Sequence, residues 1–322
     1  MTQRSGLGGS DWASFARYDT GACADARRPG LASRCVSSRS GAASGASFFV
    51  KQSRRGPEMF LGEAAGLRAM HHTKTLVVPE VLHAGGSASG DGSFIVMQHL
   101  HLGACTDQAA LGRQLALMHT VRGARWISCR TSRRVLTLHV LSQAAPLCAE
   151  AAAGRFGFPV DNTIGGTPQR NGWSAGRGTA AWVDFFRDRR LLPQLALARE
   201  PALQRLGDRL SARLPALFDG LEVRPATLHG DLWSGNVAGV GGAPAVYDPA
   251  SYYGHAEAEF GMSWCASFSP AFWAAYHAVR PREPGFERRA KLYTLYHILN
   301  HYNLFGGAYY AQAAALLQQL TA

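Results

Sequence analysis

Between Leu228 and Asn236 the chain reads LHGDLWSGN, and VYDPA follows at 246–250. Asp231 is followed five positions later by an amide, Asn236, and a second carboxylate, Asp248, ends a short apolar run. A carboxylate, an amide oxygen and a second carboxylate in this order suit phosphoryl transfer, which needs an aligned hydroxyl and cations that neutralise a triphosphate. Asp231 is the candidate to accept a hydrogen bond from the attacking hydroxyl and take its proton. Asn236 and Asp248 are the candidates to hold Mg²⁺, which prefers hard oxygen ligands. A lone His-Gly-Asp would equally suit a loop whose Asp and Asn cap turns. The full constellation argues against that.

Such a centre needs a cation for the phosphates and a frame to hold it. Ser47-Phe-Phe-Val-Lys51 reads as a β-branched and aromatic strand ending on a lysine. Twelve residues on, Glu63 lies in the first turns of an amphipathic helix, MFLGEAAGL, where it can pair with Lys51 and aim the ammonium at phosphate. Alone, each would be a solvated charge; their order ahead of Asp231 and Asp248 favours the paired role. SFIVMQHL (93–100) has the pattern of a buried strand running into a hinge. Met97 would back a nucleotide pocket, and main-chain groups around Gln98, His99 and Leu100 would meet adenine. Gly8 and Gly9 are the candidates for a loop that lets backbone N–H groups approach phosphate. Ser10, Asp11 and Trp12 follow them and no further glycine extends the loop, so this is the weakest element.

The text now resembles a family. LHGDLWSGN with YDPASYYGHAEAEFGMS is similar to the fructosamine (ketosamine) 3-kinases, as are FFVKQ, the MF-x-GEA-x-GL helix, DNTIGGTPQ-x-NGW (161–173), WVDFFRDRRL (182–191) and YHILNHYNLFGG (296–307). Trp233 inside the catalytic loop separates this family from aminoglycoside and choline kinases. The resemblance implies a bilobal, protein-kinase-like α+β fold: an N-lobe (1–100) with a small antiparallel sheet and one helix, and a larger, mostly helical C-lobe (101–322). It also implies ATP and Mg²⁺ as cofactors, and transfer to the sugar 3-hydroxyl of ribulosamine or fructosamine adducts on protein amines. The product then leaves its amine, a deglycation repair. Gln169, Asn171 and Trp173 are candidates to line the acceptor cleft beside Trp233. Glu259 is expected to brace the catalytic loop and His229 to orient its backbone. His297 and His301 share a helix face, but without a third ligand a packed helix is the better reading. The alternatives are a kinase for another small hydroxyl acceptor, of the aminoglycoside or choline type, and a catalytically impaired binding protein.

Two stretches interrupt the family text, about 22–44 and about 121–153. Both are rich in Arg, Ser and Ala and lack convincing periodicity, although 135–153 could form a short helix. They read as surface insertions or translated intron, the alternative being a regulatory arm. The net charge is +11, of which 22–44 carries +3 and 120–155 carries +5. The remaining body therefore offers no clustered basic face, which argues against a nucleic-acid partner. Four of the six cysteines also fall in the interruptions, so a reducing compartment, the cytoplasm, is the default. A plastid or mitochondrion is the alternative if an address is missing from the start. No apolar run is long enough to cross a membrane. A monomer or weak dimer acting on glycated proteins or small ketosamines is the expected form.

Overall fold

The computed structural model describes residues 31–37, 47–87, 92–121 and 148–322. The N-terminal part is a four-stranded antiparallel sheet built from β1 (Leu31–Ser37), β2 (Ser47–Ser53), β3 (Val81–Gly86) and β4 (Ser93–Gln98), in the order β1-β2-β4-β3. Helix α1 (Glu58–His72) lies between β2 and β3 in sequence. Side chains alternate across a strand, so Phe49 and Lys51 of β2 share one face and Phe48 and Val50 the other. Phe49, Ile95 and Met97 pack with Phe60, Ala64, Leu67 and Met70 of α1, while Val50 and Val96 form a small separate cluster on the far face. The apolar stripe of α1 recurs every three or four residues, and this presses Glu63 towards the strand that carries Lys51.

One expectation is corrected here. The stretch about 22–44 was expected to be a structureless surplus loop, yet Leu31–Ser37 pairs with β2 along its whole length, from Leu31 opposite Ser53 to Ser37 opposite Ser47. An edge strand needs only backbone groups to match the ladder, and LASRCVS shows little of the alternation by which strands are recognised. The rest of 22–44 lies outside the described residues. So does 122–147 of the second interruption; Cys148 and the helical turn Ala149–Ala152 are described, and Ala151 is buried in the C-lobe core.

The C-terminal part begins with α2 (Gln108–Met118), which Asp107 caps through Ala110 N–H at 2.7 Å. After the short hairpin β5 (Asn162–Ile164) and β6 (Thr167–Gln169) come α3 (Gly178–Phe186), a π-helical turn at Arg187–Leu191, α4 (Leu192–Ala198) and α5 (Pro201–Arg213). Strand β7 (Ala226–Leu228), hairpin β8 (Val237–Val240) and β9 (Ala243–Val246), and β10 (Tyr252–Gly254) frame the catalytic-loop segment. A 3-10 segment, Ala256–Cys265, leads to α6 (Pro270–Val279), α7 (Phe286–Phe305) and α8 (Tyr309–Thr321). Trp182, Phe185 and Phe186 of α3 pack on Tyr293 and Tyr296 of α7 as the centre of the larger core. A second core runs from α1 through Leu232 and Val246 to Phe260, Phe272 and Tyr276, joining the sheet domain to the back of the catalytic loop. No helix among the described residues is long and apolar enough to cross a membrane.

Candidate active site

Two antiparallel pairings bring the chemistry-bearing residues together. Leu228 at the end of β7 faces Tyr252 at the start of β10, and Ala250 N–H donates to the His229 carbonyl at 2.9 Å. The loop leaving β7 and the segment entering β10 therefore run side by side, with β8 and β9 folded out between them. Asp231 and Asp248 both line one cleft, with Glu63, Met59, Asn162, Thr163 and Gly165 around it. Asn236 donates through Nδ2 to the carbonyls of Asp231, at 2.8 Å, and Asp248, at 3.3 Å. Its amide is thereby turned so that Oδ1 points away from both carbonyls. Asp248 has a φ of 60°, a left-handed conformation that Asp tolerates better than most residues and that concentrates at functional sites.

Lys51 is buried and donates to Glu63 Oε1 at 2.7 Å; its ammonium also contacts Asp248 Oδ1. The pair expected from sequence is thus formed, and it reaches across to the second carboxylate. Glycines let α1 sit this close. A Cβ on Gly62 would fall 2.6 Å from Asn162 Cβ, and one on Gly66 would fall 2.8 Å from Ser251 Oγ.

The catalytic loop is held from behind by Glu259. Its carboxylate accepts from His229 N–H at 2.7 Å, Gly230 N–H at 2.9 Å and His119 Nε2 at 3.1 Å. Burial pushes the Glu259 pKa up, but the hydrogen bonds it accepts, from His119 first and then from the Gly230 N–H, hold it below the usual carboxylate value. Burial likewise lowers His119 against the pull of Glu259. The pair is therefore a carboxylate accepting from a neutral imidazole. An ionised Glu259 can only accept, which places the His119 proton on Nε2 and makes Tyr276 OH the donor to Nδ1 at 2.9 Å. His229 is settled by similar logic. Asp231 N–H donates to Nδ1 at 3.3 Å, so Nε2–H donates to the Tyr247 carbonyl at 2.9 Å. Burial lowers the His229 pKa and keeps it neutral. Gly230 itself has a φ of 81°, and a Cβ there would fall 2.3 Å from the Ala250 carbonyl oxygen. No residue with a side chain fits that position without moving the Asp248 segment.

Three of the acceptor-cleft candidates sit elsewhere. Gln169 is 2% exposed, donates to Asn162 Oδ1 and the Ala250 carbonyl, and accepts from Tyr296 OH at 2.6 Å. Asn171 is 0% exposed, donates to the Val160 carbonyl and accepts from Arg190 at 2.7 Å. Arg190, fully buried in the π-helical turn, also lies over the Tyr252 ring at 4.1 Å. Trp173 stacks on Tyr253 with centroids 6.0 Å apart. These side chains hold the 161–173 segment against the catalytic strands; the two amides are buried among protein partners, and Trp173 is partly exposed but does not line the cleft. The segment does reach the cleft, but through Asn162, Thr163 and Gly165. Polar and aromatic types attracted attention where small, hairpin-tip residues do the lining. Trp233 is half-buried and folds over Gly235, where a Cβ would fall 2.3 Å from its ring.

At the hinge, Met97 is buried and Gln98 N–H is taken by the Glu80 carbonyl at 2.8 Å, which leaves the main chain of His99 and Leu100 for a ligand. His99 Nδ1 is buried without a partner. Gly8 and Gly9 lie outside the described residues. His297 is buried and its carbonyl accepts from His301 Nδ1 at 2.7 Å. Among the described residues no group of three or more His, Cys, Asp or Glu could hold a metal. The oxygens of Asn236 and Asp248 instead match an ion held by one or two protein ligands and completed by substrate phosphates.

A small antiparallel sheet with one helix, a helical second lobe, and a Lys–Glu pair facing a loop Asp and a second Asp define a protein-kinase-like phosphotransferase fold. Family comparison makes this particular. The fructosamine kinase family model matches residues 30–132 and 125–322, and the chain belongs to that family. It is 44% identical over 278 residues to protein-ribulosamine 3-kinase, chloroplastic, of Oryza sativa subsp. japonica, covering 84% of this chain and 71% of that one. It is 36% identical over 270 residues to ketosamine-3-kinase of Mus musculus, covering 82% and 84%. Among solved structures it is similar to a fructosamine-3-kinase structure from Thermobifida fusca, with a TM-score of 0.66, 27% identity, and coverage of 90% and 92%. The family match begins at residue 30, so it includes β1 and does not include Gly8 and Gly9.

Proposed function

We propose that this chain is an ATP-dependent ketosamine 3-kinase acting on ribulosamine or fructosamine adducts of protein amines. The convergence of Lys51, Glu63, Asp231, Asn236 and Asp248 on one cleft, in a chain of this family, is the observation that carries the proposal. The sugar 3-hydroxyl donates a hydrogen bond to Asp231 and loses its proton to that carboxylate as its oxygen attacks the γ-phosphorus. The bond to the β–γ bridging oxygen breaks and ADP leaves. Lys51, held by Glu63, positions the α- and β-phosphates, and the main chain at His99 and Leu100 meets adenine. Mg²⁺ held by Asn236 Oδ1 and Asp248 would neutralise charge on the phosphates. Trp233 flanks the acceptor. The phosphorylated sugar then leaves its amine, which restores the protein. The chloroplastic location of the rice relative supports a plastid over the cytoplasmic default.

The test is ATP consumption with a ribulosyl-lysine peptide, a fructosyl-lysine peptide, choline and kanamycin side by side. Turnover confined to the two ketosamines is expected. Preference for choline or kanamycin would refute the acceptor assignment. Asp231→Asn, nearly isosteric, should lower kcat by about 10² to 10⁴, the usual contribution of a general base. Retention of most turnover at saturating substrate would refute the role of Asp231.

A further inference from the structure

The described surface carries seven exposed large apolar side chains, and three of them, Trp264, Leu304 and Phe305, gather at one place. They are 48%, 38% and 67% exposed. His301 joins them: its ring is 5.5 Å from Trp264 and 5.7 Å from Phe305, and Tyr309 lies 5.1 Å from His301 and 6.4 Å from Phe305. The cluster is built by chain turns. Trp264 lies near the end of the 3-10 segment, and Phe305 ends α7 where Gly306 and Gly307, both with positive φ, turn the chain away. Exposed aromatic patches of this kind commonly mark binding surfaces.

Its position says which surface. Gly165, at the tip of the β5–β6 hairpin, lines the cleft that holds Asp231 and Asp248. A Cβ on Gly165 would fall 3.1 Å from Leu304 Cδ1, and one on Gly166 would fall 3.7 Å from Cδ2. Only a hairpin tip without side chains therefore separates the cleft from the patch. On the other flank, Cys265 follows Trp264 and is close enough to Asp231 for that charge, after burial, to push its thiol up to about 11.

We propose that this aromatic rim seats the polypeptide that carries the sugar, contacting apolar side chains next to the glycated lysine. The inference rests on the ketosamine 3-kinase reading. A sugar with its 3-hydroxyl at Asp231 must trail its lysine stem out of the cleft, and the rim adjoins that cleft across the side-chain-free tip. Trp264 and Phe305 are then specificity residues for the carrier, with no part in the chemistry.

The test compares two acceptors of one sugar: a ribulosyl-lysine heptapeptide with Leu and Phe flanking the lysine, and ribulosyl-methylamine. Trp264→Ala and Phe305→Ser should each raise KM for the peptide about tenfold, the effect of losing a contact at a binding hot spot, with kcat unchanged. KM for ribulosyl-methylamine should stay within twofold. Because an exposed side chain can still matter to folding, a second arm leaves the protein alone and changes the flanking Leu and Phe of the peptide to Ser. The wild-type chain should lose the same factor, and the variants should lose little more. Equal KM changes for both acceptors, or no change for the peptide, would overturn the inference and leave the ketosamine kinase reading standing. A wild-type chain that turned over neither acceptor would overturn both.

Discussion

Replacing Glu259 by Gln tests how the catalytic loop is held. The amide is nearly isosteric, but it can accept at only one of its two ends. If its oxygen takes the place of Oε2, the bonds to His229 N–H and His119 survive and the NH₂ faces Gly230 N–H. If it takes the place of Oε1, Gly230 is served and the NH₂ faces His229 N–H. In either orientation one backbone N–H of the loop is left buried without an acceptor, at a cost of about 1–3 kcal/mol. The remaining bonds become neutral instead of charge-assisted, about 1 kcal/mol more. A total of about 2–4 kcal/mol should lower Tm by roughly 3–6 °C in a chain of this size. Because the loop that carries Asp231 is displaced, kcat should fall about a hundredfold, while KM for ATP stays near wild type, Lys51 and the hinge being untouched. Glu257→Gln is the control. Glu257 lies in the same 3-10 segment but pairs with Arg289 at 2.7 and 2.8 Å, away from the loop. It should lower Tm and spare kcat. Melting curves and steady-state kinetics on both variants decide the matter. If Glu259→Gln melts within a degree of wild type and keeps its kcat, or if the two variants behave alike, Glu259 does not position the loop.

Asp248→Asn keeps both the shape and the left-handed tolerance of this position (φ 60°), and should lower kcat by more than about a hundredfold and weaken the Mg²⁺ dependence of turnover; an unchanged Mg²⁺ titration would refute the metal role. Burial depresses the folded pKa of His119, His229, His255 and His297, the last to about 3. These groups bind fewer protons folded than unfolded, so their stability contribution is present above about 6.5 and lost as pH falls through the folded values, each at up to about 1.4 kcal/mol per pH unit. Urea midpoints at pH 7.5, 6 and 5 should fall in that order, and a flat profile would contradict the assignment of four buried neutral imidazoles. Deleting 31–37 should destabilise the sheet because it removes the ladder on β2. Replacing 122–147 by a short Gly-Ser linker should leave Tm and kcat intact, since Val121 and Cys148 line the same cavity and loop closure depends only weakly on length; loss of folding in that second variant would show that the segment supplies core.

The gathering of Lys51, Glu63, Asp231, Asn236 and Asp248 was legible in the sequence because its logic is local or ordered along the chain. Asp231 and Asn236 are five residues apart in one loop, and Lys51 lies in a strand whose β-branched and aromatic run can be read directly, as can the apolar stripe that turns Glu63 inward. Spacing along the backbone sets those geometries before any packing occurs. The bilobal fold followed from the same motifs through family resemblance. What the chain does not announce is which polar side chain has already spent its hydrogen bonds. Gln169 and Asn171 look like sugar ligands by type, and only the packing of Tyr296, Ala250 and Arg190 around them removes them from the cleft. The bond from His119 to Glu259 spans 140 residues, and no local pattern encodes it. The pairing of β1 was hidden because an edge strand is recruited by a neighbour's free backbone groups, whatever its side chains. Trp264, Leu304 and Phe305 become one surface only when a hairpin, a 3-10 segment and the end of a helix meet. Burial and adjacency belong to the folded chain as a whole, and they decided which candidates face the cleft.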